Sequence, residues 1–242
     1  MTKKIEEICF VINARLGSSR LPGKMLKPFA GTSLFELAID KIISSKFPQE
    51  QLYLSLFDKP LKDIASEKGI NIYHRSAQSV RADNTPQSAF TLPEVFEWWE
   101  HLQDKYEYYF FVNACCPLLK VSTINSFVDE FLSSDSDGLF SVIEHRRFFY
   151  RKDSSIINDY TGTEEAKITF NTKFVEPLYS AAPLRAGRLS DIGKHIYMGT
   201  FTQNNDPPLW VVPHEEAADI DYLEEFVRAE KMYVEADDDI WG

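Results

Sequence analysis

Ile8-Cys9-Phe10-Val11-Ile12-Asn13-Ala14-Arg15-Leu16-Gly17-Ser18-Ser19-Arg20-Leu21-Pro22-Gly23-Lys24 is the stretch whose reading decides the fold. Its first part, Ile8–Ala14, is a continuous apolar run of strand length. The part that follows mixes Gly, Ser and Pro with three cations, Arg15, Arg20 and Lys24. Next comes TSLFELAIDKIISSK, residues 32–46, with apolar side chains at helical spacing. A buried strand, a basic loop and an amphipathic helix open an α/β domain. Small residues in such a loop let backbone N–H groups turn toward phosphate oxygens, and the cations add charge-assisted contacts.

Outward from this start the alternation continues. Residues 52–57 read as a second strand, 60–68 as a helix closed by Gly69, and 70–73 as a short third strand. Residues 86–105 read as one long helix around LPEVFEWWEHL, with Pro93 as an alternative start. Residues 108–113 and 138–143 read as buried strands flanking an amphipathic helix over 122–133. After Glu144 the rhythm turns aromatic, polar and irregular, so 145–207 is expected to be an insert that covers the cleft, before LWVVP and a helix over 221–233 restore the pattern. The expectation is one α/β domain over 1–242, Rossmann-like and three-layered, with a mostly parallel sheet.

At 242 residues and 44% apolar composition the chain can bury an ample core. A net charge of -11 argues against a nucleic acid or an anionic membrane as partner, since both need a broad basic face. It leaves room for a small anion, because Lys3, Lys4, Arg15, Arg20, Lys24 and Lys27 crowd the first segment. Cys9, Cys115 and Cys116 fit neither a disulfide framework nor a zinc pattern, and no stretch has the length of a membrane span. A soluble, cytoplasmic protein is expected.

The loop is not a Walker A motif: five residues separate Gly17 from Gly23, and Met25 stands where a magnesium-binding Ser or Thr belongs. By residue type alone it is a phosphate cradle or a solvated Gly/Pro loop. Residues Asn13 to Lys24 resemble the signature loop of the sugar-acid cytidylyltransferases, a variant of ARxGSxRxPGK, as in the acylneuraminate and 3-deoxy-manno-octulosonate enzymes. That resemblance implies a nucleotide-diphospho-sugar transferase fold and transfer of CMP from CTP to an acidic sugar. It implies that Arg15, Gly17, Ser18, Ser19, Arg20 and Lys24 embrace the CTP phosphates while Asn13 and Ala14 approach the nucleoside.

The similarity extends along most of the chain. Tyr53-Leu54-Ser55 followed by Asp58 stands where the family has a strand ending in Ser-Thr-Asp, and His74-Arg75 resembles the segment whose Arg meets the nucleotide. In Phe111 to Leu118, Asn113 replaces the family's Gln as a nucleotide contact. Ala218-Asp219-Ile220-Asp221 resembles the family's Asp-Ile-Asp, which implies Asp219 and Asp221 as ligands of Mg2+; a helix N-cap is the other reading of Asp221. Catalysis is expected from Arg15, Lys24 and Asp221.

For the sugar carboxylate the candidates are Arg146, Arg147 and Arg185, with His145, Arg188 and Tyr179 beside them. Cys115 and Cys116 read as packed residues, not nucleophiles. The resemblance also implies a homodimer with the 145–207 segment in its contact. A sugar-1-phosphate nucleotidyltransferase, or a nucleotide-binding module without catalysis, are the alternative readings.

Overall fold

The structure is a computed structural model, and it describes residues 3–82, 91–160, 171–194, 196 and 207–241. Strand β1 (Ile8–Ala14) is buried on both faces, as its unbroken apolar run requires. Ile8, Phe10 and Ile12 enter the main core, and Cys9 and Val11 enter a second core on the opposite face. A small hairpin, β2 (Pro28–Phe29) and β3 (Thr32–Ser33), leads to helix α1 (Leu34–Ser44). Ser33 caps that helix by accepting the Glu36 N–H at 3.2 Å.

Strand β4 (Leu52–Leu56), helix α2 (Lys59–Glu67), strand β5 (Asn71–His74) and helix α3 (Ala77–Ala82) continue the alternation. The long helix expected over 86–105 is two short pieces within its described part, α4 (Leu92–Val95) and α5 (Trp98–Leu102); residues 83–90 lie outside the described residues. Thr91 and Glu94 form a capping box that starts α4 with Pro93 in its first turn. Phe96 then leaves helical geometry (φ -109°, ψ 43°), and its ring packs edge-on against Trp98 and Phe111. Burying that ring outweighs helix continuity.

Strand β6 (Tyr108–Val112), helix α6 (Val121–Ser133) and strand β7 (Leu139–His145) follow as expected. Residues 145–207 do not stay irregular: they supply strand β8 (Leu178–Arg188) and helix α7 (Leu189–Gly193). Strand β8 lies between β6 and β7 and is antiparallel to both. Its Pro183 argued against a central strand, because proline cannot donate to a ladder. The register to β7 shifts at this point, and the Ser141 hydroxyl accepts the Leu184 N–H at 2.8 Å. A proline at a bulge is thereby accommodated.

Strand β9 (Leu209–Val211) and helix α8 (Leu223–Trp241) end the described chain. The sheet order is β5-β4-β1-β6-β8-β7-β9, with parallel pairing everywhere except at β8. After β1 the chain goes to one side through β4 and β5, then crosses to the other side of β1 with β6. The carboxyl ends of β1 and β6 therefore flank a switch point, where open α/β sheets form a crevice. Among the described residues no helix is long and apolar enough to cross a membrane.

Lysine also enters the interior from α1. Lys41 of α1 is buried, and its ammonium donates to the Pro117 carbonyl beneath the loop that follows β6. Burial pulls its pKa down from 10.5 to about 7. Between those two values the unfolded chain binds more protons than the native one, so this residue makes stability rise with pH. Urea unfolding at pH 7, 8 and 9 should show the parent gaining stability relative to Lys41→Met as pH rises, by up to about 1.4 kcal/mol per pH unit. Parallel pH profiles for the two proteins would refute this account.

Candidate active site

The loop leaving β1 folds around one peptide. The Leu16 carbonyl accepts the N–H groups of Ser18 at 2.9 Å and Gly23 at 3.0 Å, which brings the two ends of the glycine segment together. The Leu16 N–H in turn donates to Asp58 Oδ2 at 2.8 Å. Gly23 closes the loop with φ +69°, a conformation in which a β-carbon is strained. A β-carbon on Gly17 would meet nothing within 4 Å, so this glycine borders open space and not a packed neighbour.

Eight of the residues expected at the nucleotide line one cleft, Asn13, Ala14, Arg15, Ser18, Ser19, Arg20, Lys24 and Arg75, together with Asp221, expected as a metal ligand, and with Met25 and Cys115. Arg15 reaches the Val80 carbonyl at 3.5 Å. Arg75 is buried at the end of β5, where its guanidinium bonds the Ser79 hydroxyl at 2.8 Å and the Ser79 carbonyl at 3.1 Å. Asn13 Oδ1 is buried without a hydrogen-bond partner, as is Ser55 Oγ opposite it in the β1/β4 register. Orphaned polar atoms of this kind mark a place where a ligand or water belongs.

Two carboxylates enter from the link between β9 and α8. Asp221 binds Arg20 at 2.7 Å and Lys24 at 3.2 Å, and the Lys24 ammonium also donates to the Ile220 carbonyl. Burial works against the charge on Lys24, but the Cys115 sulfur and Asp221 outweigh it, and the pKa is raised. Asp219 accepts the Asn113 side-chain amide at 3.1 Å. Burial first, and the Asp221 charge second, push the Asp219 carboxyl upward. The N-cap reading of Asp221 does not hold: Glu225 caps α8 by accepting the N–H groups of Asp221 and Tyr222 at 2.8 and 2.9 Å. The Asp221 side chain is thus left to the two cations.

Gly17, Asn113 and Asp219 are not among the residues that line the cleft. The Asn113 amide is committed within the protein, its oxygen to the Cys115 N–H at 3.0 Å and its nitrogen to Asp219. The sugar-side candidates also lie outside it. Arg146 forms a two-point pair with Glu144, which the Tyr179 hydroxyl also meets at 3.4 Å. Arg147 is exposed, and its carbonyl accepts from Asn158. Arg185 packs over the rings of Phe111 and Phe140. His145 meets the Ser180 hydroxyl at 2.8 Å. Arg188 stands at the opposite end of the sheet, in register with Tyr108, where Asp137 and Glu107 bind it.

Sequence reasoning missed two contributors. Asp58 matches the Asp of the family's Ser-Thr-Asp without an assigned role, and nothing local reveals its reach to Leu16. Cys115 reads as packing, yet it borders the cleft beside Lys24.

A family model described as cytidylyltransferase matches residues 9–177. The spore coat polysaccharide biosynthesis protein SpsF of Bacillus subtilis (strain 168) is 31% identical over 83 residues, 31% of this chain, and the match spans 35% of that relative's length. Among solved structures, a CMP:2-keto-3-deoxy-manno-octonic acid synthetase complexed with CTP is similar with a TM-score of 0.64 and 11% identity, over 95% of this chain and 99% of that one. A 4-diphosphocytidyl-2C-methyl-D-erythritol synthase from Anaerococcus prevotii DSM 20548 also gives 0.64, at 12% identity, over 95% and 97%. A cytidylyltransferase from Leptospira borgpetersenii serovar Hardjo-bovis (strain JB197) gives 0.55 at 16% identity, over 98% and 97%.

Burial pushes the Cys115 thiol up to about 11, so thiolate is scarce at neutral pH despite the adjacent ammonium. Iodoacetamide at pH 8 should modify Cys115 about a hundredfold more slowly than an unperturbed thiol, with the rate climbing toward pH 11. Peptide mass spectrometry over time measures it, and rapid labelling at pH 7 would contradict the assignment.

Proposed function

The chain belongs to the cytidylyltransferase family, and we propose that within it this protein transfers CMP from CTP to the anomeric hydroxyl of a 2-keto-3-deoxy sugar acid. Sialic, legionaminic, pseudaminic and octulosonic acids are the acceptors in view, and pyrophosphate is the second product. The observation that carries the reading is the convergence of Arg15, Arg20 and Lys24 on one cleft. Such a site suits a triphosphate. The resemblance of the loop to that of the sugar-acid enzymes supports the acceptor class, and the SpsF relative, named for polysaccharide biosynthesis, is consistent with a sugar acceptor.

In the proposed reaction the anomeric oxygen attacks the α-phosphorus while the bond from that phosphorus to the bridging oxygen of pyrophosphate breaks. The hydroxyl proton passes to solvent. No covalent intermediate on the protein is needed, so catalysis is positioning and charge stabilisation. Lys24 enters already oriented by Ile220 and Asp221, and the weak Cys115 sulfur contact is one that a phosphate oxygen would displace. Arg20, paired with Asp221 on the open side of the cleft, reaches the same phosphates.

Magnesium is the metal this site would take, held by Asp219 and Asp221. Two hard oxygen donors beside a phosphate cradle match an ion that binds one or two carboxylates plus phosphate and water. The upward push on Asp219 from its neighbour is a repulsion that a cation relieves. When bound, the ion supplies neutralisation of charge on the phosphate oxygens.

Exposed Tyr150, Ile156, Ile157, Phe174 and Tyr179 gather in the segment beyond β7 and fit the proposed homodimer contact. The erythritol synthase shares the fold equally, so the fold alone does not choose the acceptor.

Pyrophosphate release from CTP and Mg2+ should appear with one of the sugar acids and not with sugar 1-phosphates. Release only with a sugar 1-phosphate would transfer the protein to that class, and CTP binding without release anywhere would make it a binding module. Lys24→Ala should lower the rate by at least about a hundredfold. Gly17→Ala should leave the melting temperature unchanged, because its added carbon enters open space and not a packed interior, while weakening CTP binding if the phosphates lie against this part of the loop. Normal turnover of Lys24→Ala, or normal CTP affinity of Gly17→Ala, would remove those residues from the cradle.

A further inference from the structure

We propose that Asp58 is a positioning residue for the phosphate loop, fixing the Leu16 peptide so that Arg15 and Lys24 stand ready on either side of the glycine segment. The role rests on the function proposed above for that loop. The ladder between β1 and β4 ends at the partners Ala14 and Leu56. Two residues further along each strand stand Leu16 and Asp58. Here the backbones part, and the Asp58 side chain continues the pairing by accepting the Leu16 N–H at 2.8 Å.

Asp58 forgoes a more usual task to do so. It stands at the N-cap of α2, where aspartate ordinarily accepts a helix N–H, and its side chain makes no cap bond. Its charge does not face the phosphate space, since it is absent from the residues lining the cleft. The cleft already holds the Asp221 carboxylate, and one behind the loop organises the loop without adding to that charge. Leu16 is the loop's hub, with its carbonyl already holding Ser18 and Gly23. Anchoring its N–H fixes the Arg15–Leu16 peptide plane, so both peptide groups that flank the Leu16 α-carbon are held, one by Asp58 and the other by the two closures.

The test compares Asp58→Ser with Asp58→Asn in the full chain. Serine keeps a helix cap for α2 and is too short to span to Leu16, while asparagine keeps a carbonyl acceptor of the same reach. Amide hydrogen exchange without ligand should quicken in the peptide covering residues 15–24 in Asp58→Ser and stay near the parent rate in Asp58→Asn. CTP KM should rise about tenfold in Asp58→Ser, the loss of one hydrogen bond to a charged acceptor, with kcat changed less. Asp58→Asn should lie within about threefold of the parent.

Unchanged loop exchange in Asp58→Ser would overturn the proposal. So would an Asp58→Asn protein with parental loop exchange and the KM of the serine variant, because charge and not the Leu16 bond would then be responsible. A parent protein that binds no CTP would refute the proposed function alone, since the exchange comparison still reads the Asp58 bond.

Discussion

Parallel pairing of β1 with both β4 and β6 is the constraint from which the rest of the molecule follows. Parallel neighbours cannot be joined by tight turns, so each connection must cross a face of the sheet and cover it. Helix α1 makes the first crossing and seals the main core with Leu34, Phe35 and Ile39. Because the chain departs from β1 in opposite directions on its two sides, a crevice forms at the carboxyl end of that strand. The basic loop emerges into this gap, and the loop after β6 forms its other wall through Cys115.

The site is assembled from segments distant in sequence by electrostatics more than by apolar contact. Asp221, brought in by the link between β9 and α8, joins two cations of the β1 loop that would otherwise repel each other. Lys24 is largely withdrawn from solvent, which an ammonium tolerates only with oxygen partners, and Ile220 and Asp221 supply them. Asp221 holds both cations in place without a ligand, so little reorganisation is left for binding. Preorganised charge of this kind is the principal resource of an enzyme that forms no bond with its substrate.

Local sequence was enough for the opening of the chain. An apolar run buried on both faces, a basic glycine loop and a Ser33-capped helix each carry their own signal, and all three stand where expected. Strand β8 was illegible for a physical reason. Its Pro183, paired alanines and three arginines or glycines in its second half lack both alternation and β-branched residues, and only the bulge against Ser141 makes it a central strand. The broken helix around Phe96 was hidden similarly, since helix propensity holds through LPEVFEWWEHL and the break serves a ring contact with Phe111 on another element.

The same division runs through the functional residues. Cations clustered within one loop are a signal that a short segment carries by itself, and Arg15, Arg20 and Lys24 do line one cleft. A lone arginine further along carries no such message: it satisfies a carboxylate equally well whether that carboxylate belongs to a sugar or to the protein. Arg146 on Glu144 and Arg188 on Asp137 are the protein's own version of that chemistry, and sequence cannot tell the two apart. Asp58 is the converse case, since its residue type and position spell a helix cap while its bond goes to another strand's loop. Residues whose partners are local can be read from a chain, and those whose partners are set by register across a sheet become legible only once the register is known.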